Sequence, residues 1–322
     1  MAARRALVTG AGGFVGQWLC RELVREGWEV TGSSLLGAPG PGVIAEEDHA
    51  LVRWRRDNLL DPGAVASAVD DSMPDAVYHL AGTAFVPAAA RDSAIALETN
   101  VGIAVRLLDA IEERRRAGAL DPVVLVVGSG EQYGRHDASA LPLSEDAECR
   151  PLTRYAASKV AQEAFALAAF RRSGVRVVCT RSFNHSGPGQ SPDFVLPALV
   201  RRVRAAQRAG SHTVPIGNTA VSRDFLHVRD VVRAYVGLVA AGLPGEVYNV
   251  SSGVATGIGD VAQRVAALAG AAVVFTPDPD LQRQADVPRL SGSHARIRDD
   301  TGWTPRFGVD DIIRDLLAGD PA

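Results

Sequence analysis

Tyr155 and Lys159 stand four residues apart in Tyr155-Ala156-Ala157-Ser158-Lys159, a spacing that sets both on one face of a helix. A phenol exchanges a proton near neutral pH only when its phenolate is favoured, and a neighbouring ammonium favours it. Composition singles out the same lysine. Of the 34 Lys and Arg residues, Lys159 is the one lysine. Arg replaces Lys readily as a solvated cation, but a planar guanidinium does not replace a compact point charge. Ser129, just after an apolar run, supplies a second hydrogen bond to a substrate oxygen. A Ser/Tyr pair aimed at one oxygen, with Lys behind it, suits reversible hydride exchange between a carbonyl and an alcohol. Alone, Tyr-x-x-x-Lys would be an ordinary helix-surface pair. The unique lysine and the glycine loop upstream favour chemistry.

That loop is Thr9-Gly10-Ala11-Gly12-Gly13-Phe14-Val15-Gly16, between a strand pattern and a helix pattern. Gly10, Gly13 and Gly16 let the chain turn tightly, bring bare backbone to a pyrophosphate and pack a helix closely on a sheet. The helix N-terminus then offers N–H groups and a positive dipole to the phosphates. The implied cofactor is a nicotinamide dinucleotide. Asp57 at a strand end suits the adenine amino group, and reads equally as a cap shared with Asp61. Leu80-Ala81-Gly82 ends another strand, where small residues let backbone lie along the cofactor. Phe14, Val15, Asn58, Asn100 and Phe183, with Tyr155 and Lys159, complete the expected cofactor contacts. The second strand ends Thr31-Gly32-Ser33-Ser34-Leu35, with neither an acid for a ribose hydroxyl nor an Arg for a 2′-phosphate. Its hydroxyls, Ser33 first, favour NADP(H), or use of both NADP(H) and NAD(H).

The elements that must position these groups alternate. Strand patterns at 5–9, 28–31, 51–54, 76–80 and 123–127 are separated by helix patterns at 14–26, 61–69 and 94–116. Nearly all-apolar strands suit burial on both faces, so the pattern predicts an α/β fold with a doubly wound, parallel Rossmann sheet. Pro151 and Thr153 fit the start of the Tyr155 helix. After about Phe183 the texture turns Pro-rich, with helix patterns at 195–209, 228–241, 258–269 and 310–317. This predicts a dinucleotide-binding unit over 1–182 and a smaller, mixed substrate lobe over 183–322. The strand at 175–180 still belongs to the main sheet, so the two interleave. The tract 36–42 reads as a surface loop.

Composition excludes other classes. A net charge of -3 gives no electrostatic case for nucleic acid or an anionic membrane. No apolar run approaches the ~20 residues of a membrane-spanning helix, and no signal-peptide core is visible, so the expected compartment is the cytoplasm. Cys20, Cys149 and Cys179 lie far apart and read as reduced. The seven histidines show no metal-ligand spacing, and no metal is expected.

The Thr9–Gly16 and Tyr155–Lys159 stretches and Arg181-Ser182-Phe183-Asn184 resemble the extended short-chain dehydrogenase/reductase superfamily, the NAD-dependent epimerases and dehydratases, over nearly the whole chain. Within it, 183–195, 222–226 and 292–296 ahead of Thr301-Gly302-Trp303 resemble the GDP-4-dehydro-6-deoxy-D-mannose reductase branch. The resemblance implies a nucleotide-diphosphate sugar held by Asn184 and Val195, its diphosphate by Arg223 and Arg283, and reduction of its C4 ketone. Read from the residues alone, the alternative for Arg223 is a salt bridge with Asp224 or Asp230, and for Arg283 a solvated loop cation. The resemblance also implies a homodimer through the Tyr155 helix and the long helix before it. Glu131 stands where 4,6-dehydratases of the superfamily carry their base. Gly130 precedes it where those enzymes place Asp or Ser. Asn184-His185-Ser186-Gly187-Pro188-Gly189 also departs from the mannose dehydratases' NHESPRRG. Both departures favour a reductase. The alternatives are a dTDP-linked ketosugar reductase, a dehydratase or epimerase, and a non-enzymatic NAD(P) sensor.

Overall fold

Apolar residues run without alternation through the strands Arg5–Thr9, Ala76–His79 and Val123–Ser129 at the centre of the main sheet, so these strands need cover on both faces. The structure, a computed structural model, describes residues 3–40, 43, 45–83, 93–282 and 287–319. The first half forms β1 (Arg5–Thr9), β2 (Glu29–Ser34), β3 (Val52–Arg56), β4 (Ala76–His79), β5 (Val123–Ser129) and β6 (Arg176–Ser182). The second half adds β7 (Asn184–Ser186), β8 (Thr213–Ile216), β9 (Ser222–His227), β10 (Val247–Val250), β11 (Ala255–Gly257), β12 (Val274–Pro277) and β13 (Arg289–Leu290). The main sheet has seven strands, β3-β2-β1-β4-β5-β6-β10, all parallel. Its order reverses between β1 and β4, which opens a crevice at their carboxyl ends.

Helices cover both faces. Phe14–Arg25 and Val228–Ala241 close one, burying Trp18, Leu19 and Leu23 with Val231, Tyr235 and Leu238. Ala64–Ser72, Ile103–Arg116 and Arg154–Ser173 close the other, through Val65, Val69, Leu107, Ile111 and Ala166. A separate core of Leu196, Leu199, Val203, Val261, Val265, Ile312 and Ile313 builds the C-terminal lobe. There β9 pairs with β7, β11 and β13, while β8 pairs with β12. The fold is a Rossmann-like parallel sheet with smaller mixed sheets in a C-terminal lobe.

Three elements differ from the sequence reading. β2 runs on through Gly32 to Ser34, because a Cβ at Gly32 would lie 3.0 Å from the Trp54 ring and from Ala11, so glycine is what the packing admits. The helix expected over 94–116 is broken by a π-helical turn, Glu98–Gly102, between Ser93–Leu97 and Ile103–Arg116. The turn carries Asn100, fully buried, whose amide is spoken for on both sides. The interleaving also goes further than β6: Val247–Val250 completes the main sheet beside it.

Candidate active site

The glycine loop sits at the crevice. Gly10 adopts φ +71°, and a Cβ there would lie 2.8 Å from the Ala81 backbone N, so the loop and the end of β4 touch through bare backbone. Gly13 caps the Phe14–Arg25 helix without a side-chain bond, and the first turn holds no acid. A Cβ on Gly16 would collide with the Gly10 carbonyl, which explains the close seating of helix on strand. Thr9 joins the two strand ends: its Oγ1 accepts from Ala81 N at 3.3 Å and bonds His79 Nδ1 at 2.8 Å. Ser33 Oγ, at the end of β2, is fully buried with no hydrogen-bond partner among the described residues. An orphaned hydroxyl beside a bare-backbone cradle fits a dinucleotide with its ribose over β2.

Asn100 links this cradle to the Tyr155 helix. Its Oδ1 accepts from Thr83 N at 2.8 Å and its Nδ2 donates to Ser158 Oγ at 2.8 Å. Ser158 in turn donates to the Tyr155 carbonyl at 2.7 Å. The side chain expected to touch cofactor thus also ties the segment after β4 to the helix. Asp57 and Asn58 also have near neighbours as partners: Asp57 takes both prongs of Arg55, at 2.9 and 3.0 Å, and Asn58 donates to Asp61 at 2.8 Å. The Phe183 ring is buried against Gly130, Gly292 and Tyr133.

Ser129 and Tyr155 come together where β5 ends. Thr153 caps the helix, its Oγ1 accepting from Ala156 N at 3.0 Å. Ser129 opens a short turn, its Oγ accepting from Glu131 N at 3.2 Å. Burial pushes the Tyr155 phenol up to about 12, the nearby Glu131 carboxylate adds to this, and the Ser129 hydrogen bond pulls the other way. The expected lowering by Lys159 is not what holds this phenol. The long lysine side chain carries its Nζ to the Val127 carbonyl and to Gln162 Oε1, each at 2.9 Å. Burial pushes the ammonium down to about 8. His79 is held neutral behind it, pushed down to about 3 by burial and then by the Lys159 charge.

A buried polar chain that the motifs do not reveal lies behind Ser129. Gln132 Oε1 accepts from Ser129 N at 2.8 Å, and its Nε2 donates to Glu163 at 2.9 Å. Glu163 receives Arg181 in a fork, at 3.0 and 2.7 Å. Burial works against the Arg181 charge, but Glu163 keeps its pKa above the ordinary value. Two signals in the sequence could have found this chain. Ser129-Gly130-Glu131-Gln132 has capping-box spacing, and Glu163 repeats the four-residue interval of Tyr155 and Lys159.

In the C-terminal lobe Asn184 opens β7 against Phe225 of β9, and Val195 begins a helix. Arg223, on β9, donates to the Ser222 and Val287 carbonyls at 2.9 and 2.7 Å. The acids expected as its partners are engaged elsewhere: Asp224 accepts from Ser252 and Gly253, and Asp230 from Arg233. Arg283 lies outside the described residues. No helix among the described residues is long and apolar enough to cross a membrane.

A doubly wound sheet, a glycine loop at its switch point and a Ser/Tyr/Lys cluster define a nicotinamide-dependent enzyme class. The chain belongs to the NAD dependent epimerase/dehydratase family, whose model matches residues 6–251. It is 35% identical over 316 residues to GDP-6-deoxy-D-mannose reductase of Pseudomonas aeruginosa, covering 98% of this chain and 96% of that one. The structure of RMD from Pseudomonas aeruginosa complexed with NADPH superposes with a TM-score of 0.81 at 33% identity, covering 98% of each chain. UDP-glucose 4-epimerase of Thermus thermophilus, in complex with NAD, gives a TM-score of 0.84 at 27% identity and the same coverage. The chain is an NAD(P)-binding enzyme of this family, and its relatives divide between the two cofactors.

Proposed function

We propose that the protein reduces the C4 ketone of a nucleotide-linked 4-keto-6-deoxyhexose, GDP-4-dehydro-6-deoxy-D-mannose, to GDP-D-rhamnose. The observation that carries this is the meeting of Ser129, at the end of β5, with the Tyr155 phenol, which reaches it from the Thr153-capped helix and hydrogen-bonds it. A phenol so placed donates a proton, which a ketone being reduced requires. Reduced nicotinamide, when bound, supplies the hydride. Ser129 and Tyr155 hydrogen-bond the ketone oxygen, and Tyr155 gives it the proton as negative charge develops. Lys159, one helical turn beyond Tyr155, would bind the nicotinamide ribose. Gly10, Gly13 and Gly16 would hold the pyrophosphate. Asn184, Val195, Arg223 and Arg283 would hold the sugar nucleotide, whose diphosphate suits guanidinium forks. The likeness to GDP-6-deoxy-D-mannose reductase supports the choice of substrate.

NADPH fits the adenosine end better than NADH. Ser33 and Ser34 offer hydroxyls, and Arg56 on β3 stands in register with Ser34, exposed and without an ion pair among the described residues. A homodimer is proposed through two helices that pack side by side and leave Ile95, Leu97 and Phe165 about half exposed.

A second reading has one observation in its favour. Glu131 lies in the turn that Ser129 opens, its N–H bonded to Ser129 Oγ, on the same side of the site as Tyr155, where a 4,6-dehydratase would carry its base. The deciding experiment mixes the protein with GDP-4-dehydro-6-deoxy-D-mannose and NADPH or NADH and follows loss of reduced-nicotinamide absorbance. Stoichiometric oxidation with a 6-deoxyhexose product supports the reductase. No oxidation where a known reductase works, with dehydration of the intact nucleotide hexose instead, supports the second reading.

A further inference from the structure

Ser129 and Tyr155 sit on different elements, a strand end and a helix, yet must converge on one oxygen. Packing alone fixes such a spacing loosely. The structure adds a direct link: the Ser129 N–H donates to Gln132, whose amide donates to Glu163, two helical turns beyond Tyr155 on the same helix. We propose, on the reading that Ser129 and Tyr155 meet one substrate oxygen, that Gln132 and Glu163 are positioning residues that set the distance between them.

The link has a single orientation. The Ser129 N–H only donates, so Gln132 must turn Oε1 toward it, which leaves the NH2 for Glu163. Arg181 fills the other side of Glu163 with its fork, and is itself tied to the Glu145 carbonyl at 2.9 Å and laid over the Tyr133 ring at 4.8 Å. Gln132 is fully buried, and Glu163 and Arg181 nearly so, which leaves solvent little access to stand in for a lost bond. Gly128 belongs to the same device: a Cβ there would lie 2.5 Å from Gln132 Oε1. The turn that presents the Ser129 hydroxyl is thus anchored to the helix that presents the phenol.

The test measures kcat, KM and thermal stability of wild type, Gln132→Leu and Gln132→Glu with the nucleotide-linked ketosugar and NADPH across pH. Gln132→Leu keeps the side-chain bulk and the Glu163–Arg181 pair, and is expected to lower kcat on the order of tenfold to a hundredfold with cofactor KM little changed, since small misplacements of reacting groups act on the chemical step. Gln132→Glu can replace the amide only while its new carboxyl is protonated, so its kcat should approach wild type at low pH and fall as pH rises. A Gln132→Leu kcat within about twofold of an active wild type overturns the proposal. So does a kcat loss that only follows loss of thermal stability, with no pH-dependent recovery in Gln132→Glu. A wild type inactive on every ketosugar overturns the functional reading, and the proposal with it.

Discussion

Lys159 carries the chain's one ε-amine, so its titration can be read without overlap. Burial lowers its pKa from 10.5 to about 8 in the folded protein. That displacement corresponds to roughly 3 kcal/mol of differential interaction between the charged and neutral forms. Between the two values the unfolded chain holds a proton that the folded chain has released, so stability rises with pH across this window. Below about pH 8 both states are protonated, and the folded state bears the full cost of a buried ammonium. Lys159→Met removes the titration. Relative to that variant, wild type should gain roughly 3 kcal/mol between pH 8 and 10.5, measured by denaturant unfolding of both proteins at matched pH. Protein grown with carbon-13 at the lysine ε position should show one signal with a midpoint near 8. A midpoint near 10.5, or parallel stability curves for the two proteins, would refute the burial argument.

Tyr155→Phe removes the proton donor and should reduce kcat on the order of 10²- to 10⁴-fold with cofactor binding retained; full activity would sink the mechanism. Ser34→Asp places a carboxylate where a 2′-phosphate would lie and should move the kcat/KM preference toward NADH by tenfold or more, on the order of one lost charge-assisted hydrogen bond. An unchanged preference would remove Ser34 from the adenosine site. Gly16→Ala drives a methyl into the Gly10 carbonyl and should cost about 1–3 kcal/mol, read by thermal unfolding, and weaken cofactor binding. Phe165→Glu should bring the solution mass to one 33.9 kDa chain, whereas a wild type already of that mass argues against the dimer.

The centre of the main sheet was legible because β1, β4 and β5 are nearly all apolar and separated by amphipathic helices, so periodicity and glycine placement agreed. Gly32 misled the reading of β2, since glycine suggests a strand's end and the Trp54 ring that demands it comes from a neighbouring strand. Tyr155 and Lys159 shared a helix face as the four-residue spacing requires. Where the lysine head group goes was not legible. Its flexible stem reaches the Val127 carbonyl, and a backbone carbonyl at the end of an apolar run leaves no mark in the sequence. Asn100 was read as a cofactor contact, and its link between Thr83 and Ser158 depends on a π-helical turn that periodicity averages away. The Gln132–Glu163–Arg181 chain joins three elements, and spacing within one segment carries only part of it.

The place of β10 bears on how the chain is made. Val247 pairs with Cys179 and Val250 with Ser182, so the strand that finishes the main sheet emerges from the ribosome long after the strand it covers. Until then β6 is a bare edge, a template for pairing with another nascent chain. The glycine loop and the Tyr155 helix are complete much earlier in synthesis, yet the sheet beneath them is not. A chain stopped at residue 182 would carry every residue of the Ser/Tyr/Lys cluster and still present an open, apolar strand. Its expected fate is aggregation during translation rather than cofactor binding, and a holdase chaperone would find its substrate in that interval.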